Sequence, residues 1–441
     1  MLITFRADNY RSLRDLVEVS AVVPSWVETD DVTTPVGGHG DIRLGSIAAV
    51  YGSNASGKTN VLRAMWSMAS MVSNSHQSWK PSSKIPYSPF FASPHNSSPV
   101  MFEAEVLLNG ERHQYGFRFD HERIVEEWLY VFPKGRPRLM FDRDANRTNE
   151  FRFGRALRGR PQIIADLTRH NSLFLSAAAA NNSQQLTELA NWFDNGIQRA
   201  TPGDREAHIR YTVAQVRNEE KKAAILDLLR FADLGISDLR IVNHEVDEEL
   251  KSRVKTMMQA LNPNAEPDEV DWSEIAQGTQ LAHRIGDDGA AFLDLDDESM
   301  GTRAWLGLIG PIMRALEKGT LLLVDELDAS LHPRLSSEVI RIFHDPHLNT
   351  QGAQLIFNTH DPSLMGALLG DAPLRRDEVW LTEKGKDGAT RLYPLTEFRP
   401  RKSENLERGY LQGRYGAVPF IDRDLARAAL VRPEGEALAS A

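Results

Sequence analysis

The stretch Gly52-Ser53-Asn54-Ala55-Ser56-Gly57-Lys58-Thr59 constrains this chain more than any other. It follows the apolar run IAAVY and precedes NVLRAMW. Two glycines five apart, then Lys and Thr, between a strand and a helix, make the phosphate-loop pattern. Chemistry sets the spacing. Successive backbone N–H groups at a helix N-terminus form an anion nest. Gly52 and Gly57 permit backbone conformations that a Cβ opposes. Lys58 is placed to neutralise the outer phosphates, and Thr59 offers a hydroxyl to Mg²⁺. Residues 52–60, ending on Asn60, are the expected cradle for ATP.

A matching half lies far along the chain, at TLLLVDELDASLHP (320–333). Four apolar residues followed by Asp325 read as a buried parallel strand that delivers a carboxylate at its C-terminal end, where doubly wound sheets bind ligands. Asp325 is expected to hold Mg²⁺ through its water shell. Glu326 is placed to orient or deprotonate the attacking water. AQLIFNTHD (353–361) is a further apolar strand, ending in Asn358, Thr359 and His360. His360 reads as a γ-phosphate sensor. Alone, each of these is equally a core strand with a solvated end; a phosphate loop in the same chain favours the chemical reading.

The rest of the 441 residues supports a large core, with 41% hydrophobic and 25% charged residues, and length suggests two to three units. No window approaches ~18 uninterrupted apolar residues, so no membrane span is expected. Arg6, Asp8 and Arg11 interrupt the N-terminus, which alternates like a first strand rather than a signal peptide. There are no cysteines. That excludes disulfides and thiolate metal sites and fits a cytoplasmic protein. The net charge of −10 does not advertise nucleic-acid binding by the whole molecule.

Periodicity divides the chain into three parts. Residues 1–160 carry two strands, the phosphate loop, a helix from Thr59 to about Met71, a polar loop over 73–98, and strands FEAEVLL and HQYGFRFD around an Asn109-Gly110 hairpin turn. Residues 161–285 are read as an inserted, mainly helical subdomain, with a loop over 260–272. Residues 286–441 are α/β. They hold a strand near 291–295, a helix over 301–317, the 320–326 strand, a helix from His332, the 353–359 strand, a helix over 363–369, and strands EVWLTEK and TRLYPL.

The separation of Lys58 from Asp325 resembles ABC-type ATPases of the SMC and RecF kind, whose head is split by an insertion. Those families carry a Ser-x-Gly signature before the acidic strand, a D-loop after it and a switch histidine on the next strand. This chain has Ser299-Met300-Gly301-Thr302, Leu327-Asp328-Ala329-Ser330 and His360 in that order. FRADNYRSL at the start is similar to their opening strand. The resemblance implies an α/β fold: a split ABC-type P-loop head with an antiparallel β lobe and an inserted helical subdomain. It also implies a head-to-head pair. Ser299 and Gly301, at a helix mouth with outward N–H groups, would meet the partner's γ-phosphate, with Asp328 at the seam. Thr302 departs from the general signature, which has glycine there, and no Q-loop glutamine is assignable.

A narrower resemblance covers nearly the whole chain. NSLFLSAAAANN, FADLGISDL, ESMGTR, DELDASLHP, FNTHDPSL and GYLQGRYGAVPF are similar to bacterial AAA-type ABC ATPases of abortive-infection systems: AbiL-like proteins, the ATPase subunit of the PARIS phage-defence system, and the OLD-family ATPase domain. OLD-family nucleases append a TOPRIM domain. Two strands and the Tyr410–Phe420 motif occupy most of the stretch after His360, so the resemblance implies a separately encoded effector, such as a TOPRIM-like nuclease. For the Tyr410–Phe420 motif, packing and function stay open.

Asp294, Asp296 and Asp297 are read as a solvated strand end rather than a metal cluster. The stretch 134–160 holds nine basic residues (134, 136, 138, 143, 147, 152, 155, 158, 160), with Phe151 and Phe153 interleaved. Nucleic-acid contact is one reading and solvated surface the other. The favoured function is an ATP-hydrolysing sensor or switch in anti-phage defence. The alternative is a DNA-associated repair or maintenance ATPase of the RecF type. A scaffold that binds ATP without turnover is disfavoured by Glu326.

Overall fold

The computed structural model describes residues 1–27, 31–36, 42–91, 98–243, 277–285, 289–368, 370–399, 404–419 and 421–430, and between 244 and 276 only 249, 251–253, 256 and 257. The loop expected over 260–272 and Phe420 lie outside the described residues.

The chain opens with β1 (Leu2–Asp8) and β2 (Val17–Ser20), followed by a small sheet of β3 (Val22–Val23), β4 (Thr34–Pro35) and β5 (Arg43–Leu44). Next come β6 (Ile47–Gly52) and α1 (Lys58–Asn74). A meander follows: β7 (Val100–Leu108), β8 (Glu111–Phe119), β9 (Ile124–Phe132), β10 (Arg138–Asp144) and β11 (Phe151–Phe153). With β1 and β2 it makes a seven-stranded antiparallel sheet among the described residues, ordered β11-β10-β9-β8-β7-β1-β2. Asn109 and Gly110 take φ 49° and 78°, as a two-residue hairpin turn that matches strand twist requires.

Helices α2 (Pro161–Leu167), α3 (Phe174–Ala180) and α4 (Gln184–Asn195) precede β12 (Ile197–Ala200), and α5 (Arg205–Gln215) and α6 (Glu219–Phe231) follow it. A three-stranded antiparallel sheet of β13 (Ile236–Asn243), β14 (Gln277–Ile285) and β15 (Gly289–Asp294) leads to α7 (Met300–Lys318). The remainder is β16 (Leu321–Val324), α8 (Pro333–His344), β17 (Gln354–Asn358), β18 (Val379–Lys384), β19 (Thr390–Pro394), α9 (Leu406–Leu411) and α10 (Arg423–Leu430).

The head is a six-stranded sheet ordered β12-β16-β17-β6-β18-β19, parallel except for β19. Its central strands are apolar without a break because both faces are covered. Alternation assigns each side chain to a face. Ala48, Val50, Leu321, Leu323 and Ile356 join a core with α1, α3, α4 and the antiparallel sheet. Ile47, Ala49, Tyr51, Leu322, Val324, Leu355 and Phe357 join a second core with α5, α7 and α8.

Two sequence expectations change. The helix expected over 363–369 is only a 3-10 turn, Pro362–Met365. It stops at Gly366, whose backbone lies so close to Glu407 of α9 that a Cβ would overlap it. Within 161–285, residues are helical up to Phe231 and again at 249, 251–253, 256 and 257, and the stretch also supplies β12 to the head sheet and two strands to the small sheet. Patterning missed β12 because it is a short edge strand in which only Ile197 and Ala200 are buried.

Candidate nucleotide site

Three neighbouring parallel strands end together: β16 in Asp325 and Glu326, β17 in Asn358, and β6 in Gly52 and the loop. Hydrogen-bonded register brings residues distant in sequence to one sheet edge, at the C-terminal ends of the strands.

The loop is shaped as the glycines foretell. Gly57 takes φ 108°, and a Cβ there would overlap Thr390 and Ser12. A Cβ on Gly52 would overlap Thr382 and Ser56. Ala55 also lies in the left-handed region, at φ 61°. The loop rests on hydroxyls from the far strands. Ser56 Oγ and Thr382 Oγ1 are 2.7 Å apart, Thr382 donates to the Tyr51 oxygen at 3.0 Å, and Thr390 donates to the Ser56 oxygen at 2.7 Å. Asn60 donates to Ser12 Oγ at 2.7 Å, which ties the opening strand turn to α1. Sequence reasoning missed Thr382 and Thr390; a buried hydroxyl on each of the last two strands was the only signal.

Helix α1 starts at Lys58 without a side-chain cap. The Asn60 N–H bonds back to the Gly57 oxygen at 2.9 Å, and the uncapped start of the helix suits an anion. Lys58 is buried, and its ammonium donates to the Gly52 and Ser53 oxygens at 2.8 and 3.1 Å. Burial lowers it to about 8, while Asp328, Glu326 and Asp325 pull in the opposite direction. Thr59 Oγ1 donates to Asp325 Oδ1 at 3.0 Å. A hydroxyl and a carboxylate on one spot are oxygen donors suited to a hard cation such as Mg²⁺.

Glu326 is exposed and adopts φ 59°. His360 is exposed as well. Partial burial and then Lys58 hold its imidazole below the usual histidine range, against the pull of Asp328 and Glu326. Asp328 accepts the His360 N–H on both carboxylate oxygens, each at 3.3 Å. Within one chain, the expected D-loop carboxylate thus holds the backbone just after β17.

Ser299 caps α7. Its hydroxyl accepts the Thr302 N–H at 3.1 Å and lies 2.9 Å from Thr302 Oγ1. The helix begins at Met300, one residue earlier than expected, and the Ser299 hydroxyl turns toward the helix as well as lining its mouth. Thr302 is buried and completes this cap, which gives a physical reason for a threonine at that position. Gly301 backs onto the D-loop: a Cβ there would stand 3.1 Å from the Ser330 oxygen. His283 and Glu298, 2.6 Å apart, tie β14 to the residue before Ser299.

The C-terminal motif packs behind the loop. Tyr410 meets Tyr51 edge-on, with centroids 5.6 Å apart, and donates to the Ala417 oxygen at 3.3 Å. Tyr415 donates to Glu404 at 2.6 Å, and Tyr393 donates to the Tyr415 oxygen at 3.1 Å.

The basic stretch looks different once folded. Arg143 is buried among Glu150, Glu127 and the Ser172 oxygen. Arg147 and Arg152 pair with Asp142. Phe151 and Phe153 pack on Phe174 of α3, 5.3 and 5.6 Å between centroids, and are not presented for base stacking. Strand β15 stops at Asp294, and Asp296 and Asp297 lie exposed on a 3-10 turn. Among the described residues, the one His/Asp/Glu group close enough to share a metal is Asp31, His344 and Glu378. There Arg375 already pairs with both Asp31 and Glu378. Also among the described residues, no helix is long and apolar enough to cross a membrane.

Residues 47–366 match a family model described as "AAA domain, putative AbiEii toxin, Type IV TA system". Among solved structures, the chain is similar to the SMC head domain from Thermotoga maritima, at 15% identity and a TM-score of 0.41, covering 89% of this chain and 98% of that one. It is also similar to an SMC head bound to the C-winged helix domain of ScpA, at 13% identity and a TM-score of 0.43, covering 89% and 97%. A third is an SMC head with an extended coiled coil bound to the C-terminal domain of ScpA, from Pyrococcus furiosus, at 11% identity and a TM-score of 0.37, covering 90% and 97%. No curated protein matches the chain.

Proposed function

The chain belongs to this AAA-domain family. From that premise, we propose that it is an ATP-hydrolysing switch that pairs with a second copy through shared ATP sites. In this reading it controls a separately encoded effector, such as a TOPRIM-like nuclease, in bacterial defence against phage.

One observation carries the pairing. Glu326, Ser330, His360, Ser299 and Met300 are all exposed, so the reacting groups stand open to water. The signature and D-loop lie side by side, where Gly301 backs onto Ser330. Hydrolysis under control needs a closed site, because charge stabilisation is stronger where water is excluded. A second copy laid on this face closes it.

The chain's own groups then divide the work. The α1 N-terminus and Lys58 hold the outer phosphates. Thr59 and Asp325 would hold Mg²⁺, which supplies neutralisation of phosphate charge. Glu326 takes the proton of the attacking water as its oxygen bonds to the γ-phosphorus and the bond to ADP breaks. His360, neutral at pH 7, donates a hydrogen bond to a γ-phosphate oxygen. The partner contributes Ser299 and the Gly301 N–H across the seam, near Asp328. ATP becomes a removable part of the interface, and its hydrolysis loosens the pair.

The test is Glu326→Gln. Turnover should fall while ATP binding persists, and light scattering with ATP should show a doubled mass. Turnover at the wild-type rate would remove Glu326 from its role. A mass that ignores ATP would remove the pairing.

A further inference from the structure

Asn358 ends β17 and is fully buried. Its side-chain amide addresses two consecutive residues of the acidic loop. Nδ2 donates to Asp325 Oδ1, and Oδ1 accepts the Glu326 N–H at 2.7 Å. Its main-chain oxygen accepts the Leu327 N–H at 3.1 Å. One residue thus holds 325, 326 and 327. Chemistry fixes the amide's orientation: flipped, its oxygen would face a carboxylate and its NH₂ an N–H.

Two consequences follow. Glu326 sits at φ 59°, a region costly for a residue with a side chain. The bond from its N–H to Asn358 holds it there from β17, together with the Ala329 N–H, which donates to the Glu326 oxygen at 2.9 Å. Asp325 Oδ1 receives two donors, the Thr59 hydroxyl and the Asn358 amide. The carboxylate is thereby fixed in rotation between α1 and β17.

We propose that Asn358 is a positioning residue for hydrolysis: its buried amide locks the left-handed backbone of Glu326 and the rotation of Asp325, so that both carboxylates face the phosphate loop. Asn358 is fully buried and acts through the two acids. The inference rests on the hydrolytic reading above.

Two variants test it. Asn358→Leu keeps the branched shape and removes both side-chain bonds. Asn358→Asp keeps an acceptor for the Glu326 N–H and turns the donor toward Asp325 into a carboxylate. For both, kcat should fall about tenfold or more while the Kd for ATP stays within roughly threefold, the split of a group that matters in the transition state. Amide hydrogen exchange across 325–327 should speed up in Asn358→Leu. The turnover of Asn358→Asp should recover toward wild type as pH falls, because protonating the introduced carboxyl restores a donor to Asp325; a merely structural role gives no such profile. Melting curves identify a variant that fails to fold, and if Asn358→Leu does, Asn358→Asp decides. Wild-type kcat in the folded variants, or equal losses of kcat and ATP affinity, overturns the assignment alone. A wild-type chain that turns over no more ATP than Glu326→Gln overturns the hydrolytic reading, and this inference with it.

Discussion

The hydroxyl of Thr59 and the carboxylate of Asp325 meet at 3.0 Å, although an entire β lobe and a set of helices separate them in the chain. The bond joins the start of α1 to the end of β16, and the Asn358 amide shares the same carboxylate oxygen. Asp325→Asn keeps an oxygen for both donors and removes only the charge. The fold should survive with an unchanged melting temperature. Turnover should fall about a hundredfold or more, the scale of losing one preorganised electrostatic group. A steady-state ATPase assay across Mg²⁺ concentrations checks this.

Lys58 makes ATP binding pH-dependent. Burial lowers its ammonium to about 8, whereas bound phosphate favours the charged form. Below that value Lys58 is already charged and the affinity is flat. Above it, binding must take up a proton, so the Kd should rise by up to about tenfold per pH unit. Calorimetry at about pH 9 in buffers of different ionisation enthalpy should register the uptake, and none at about pH 6.5.

Shared sites predict rescue by mixing. Ser299→Arg spoils the signature, and Glu326→Gln spoils the hydrolytic half. Each alone should be nearly inactive. A mixed pair contains one site built from the intact half of each copy. An equimolar mixture should therefore recover roughly a quarter of wild-type turnover, since half the pairs are mixed and each has one sound site. No recovery would place both halves of the site on one chain.

Tyr410 should act through packing on Tyr51. Tyr410→Phe keeps the edge-on ring contact and loses one hydrogen bond, at a cost of about 1 kcal/mol. Tyr410→Ala removes a buried ring, with a loss of about 3–5 kcal/mol. The strand it leans on ends in Gly52, so the alanine variant should also bind ATP more weakly. Thermal melts and nucleotide titration of the two variants separate these effects.

Much of the site was readable because its chemistry is contiguous. The loop from Gly52 to Thr59 needs two glycines, a lysine and a hydroxyl at set positions, and backbone geometry enforces that spacing locally. The apolar runs ending in Asp325 and His360 read as buried strands for the same reason: a parallel strand covered on both faces leaves no polar alternation. The short, half-polar edge strand β12 left no comparable trace. Nor did the short turn at Pro362–Met365, which patterning extends into a helix although Gly366 after it is extended, at φ −110° and ψ 172°.

The sequence by itself determined the phosphate loop, the acidic strand, the switch strand and their α/β frame, since each is specified by residues within one turn or one strand. Only the tertiary structure decided that β17 lies between β16 and β6, and that order is what puts Asn358 against both acids. It also decided that Thr382 and Thr390 brace Ser56, that Tyr410 stands behind Tyr51, and that Arg143, Arg147, Arg152, Phe151 and Phe153 are occupied with their own chain. These are contacts between segments far apart in sequence. They arise from strand order and the burial of two separate cores, and neither is written in any single stretch.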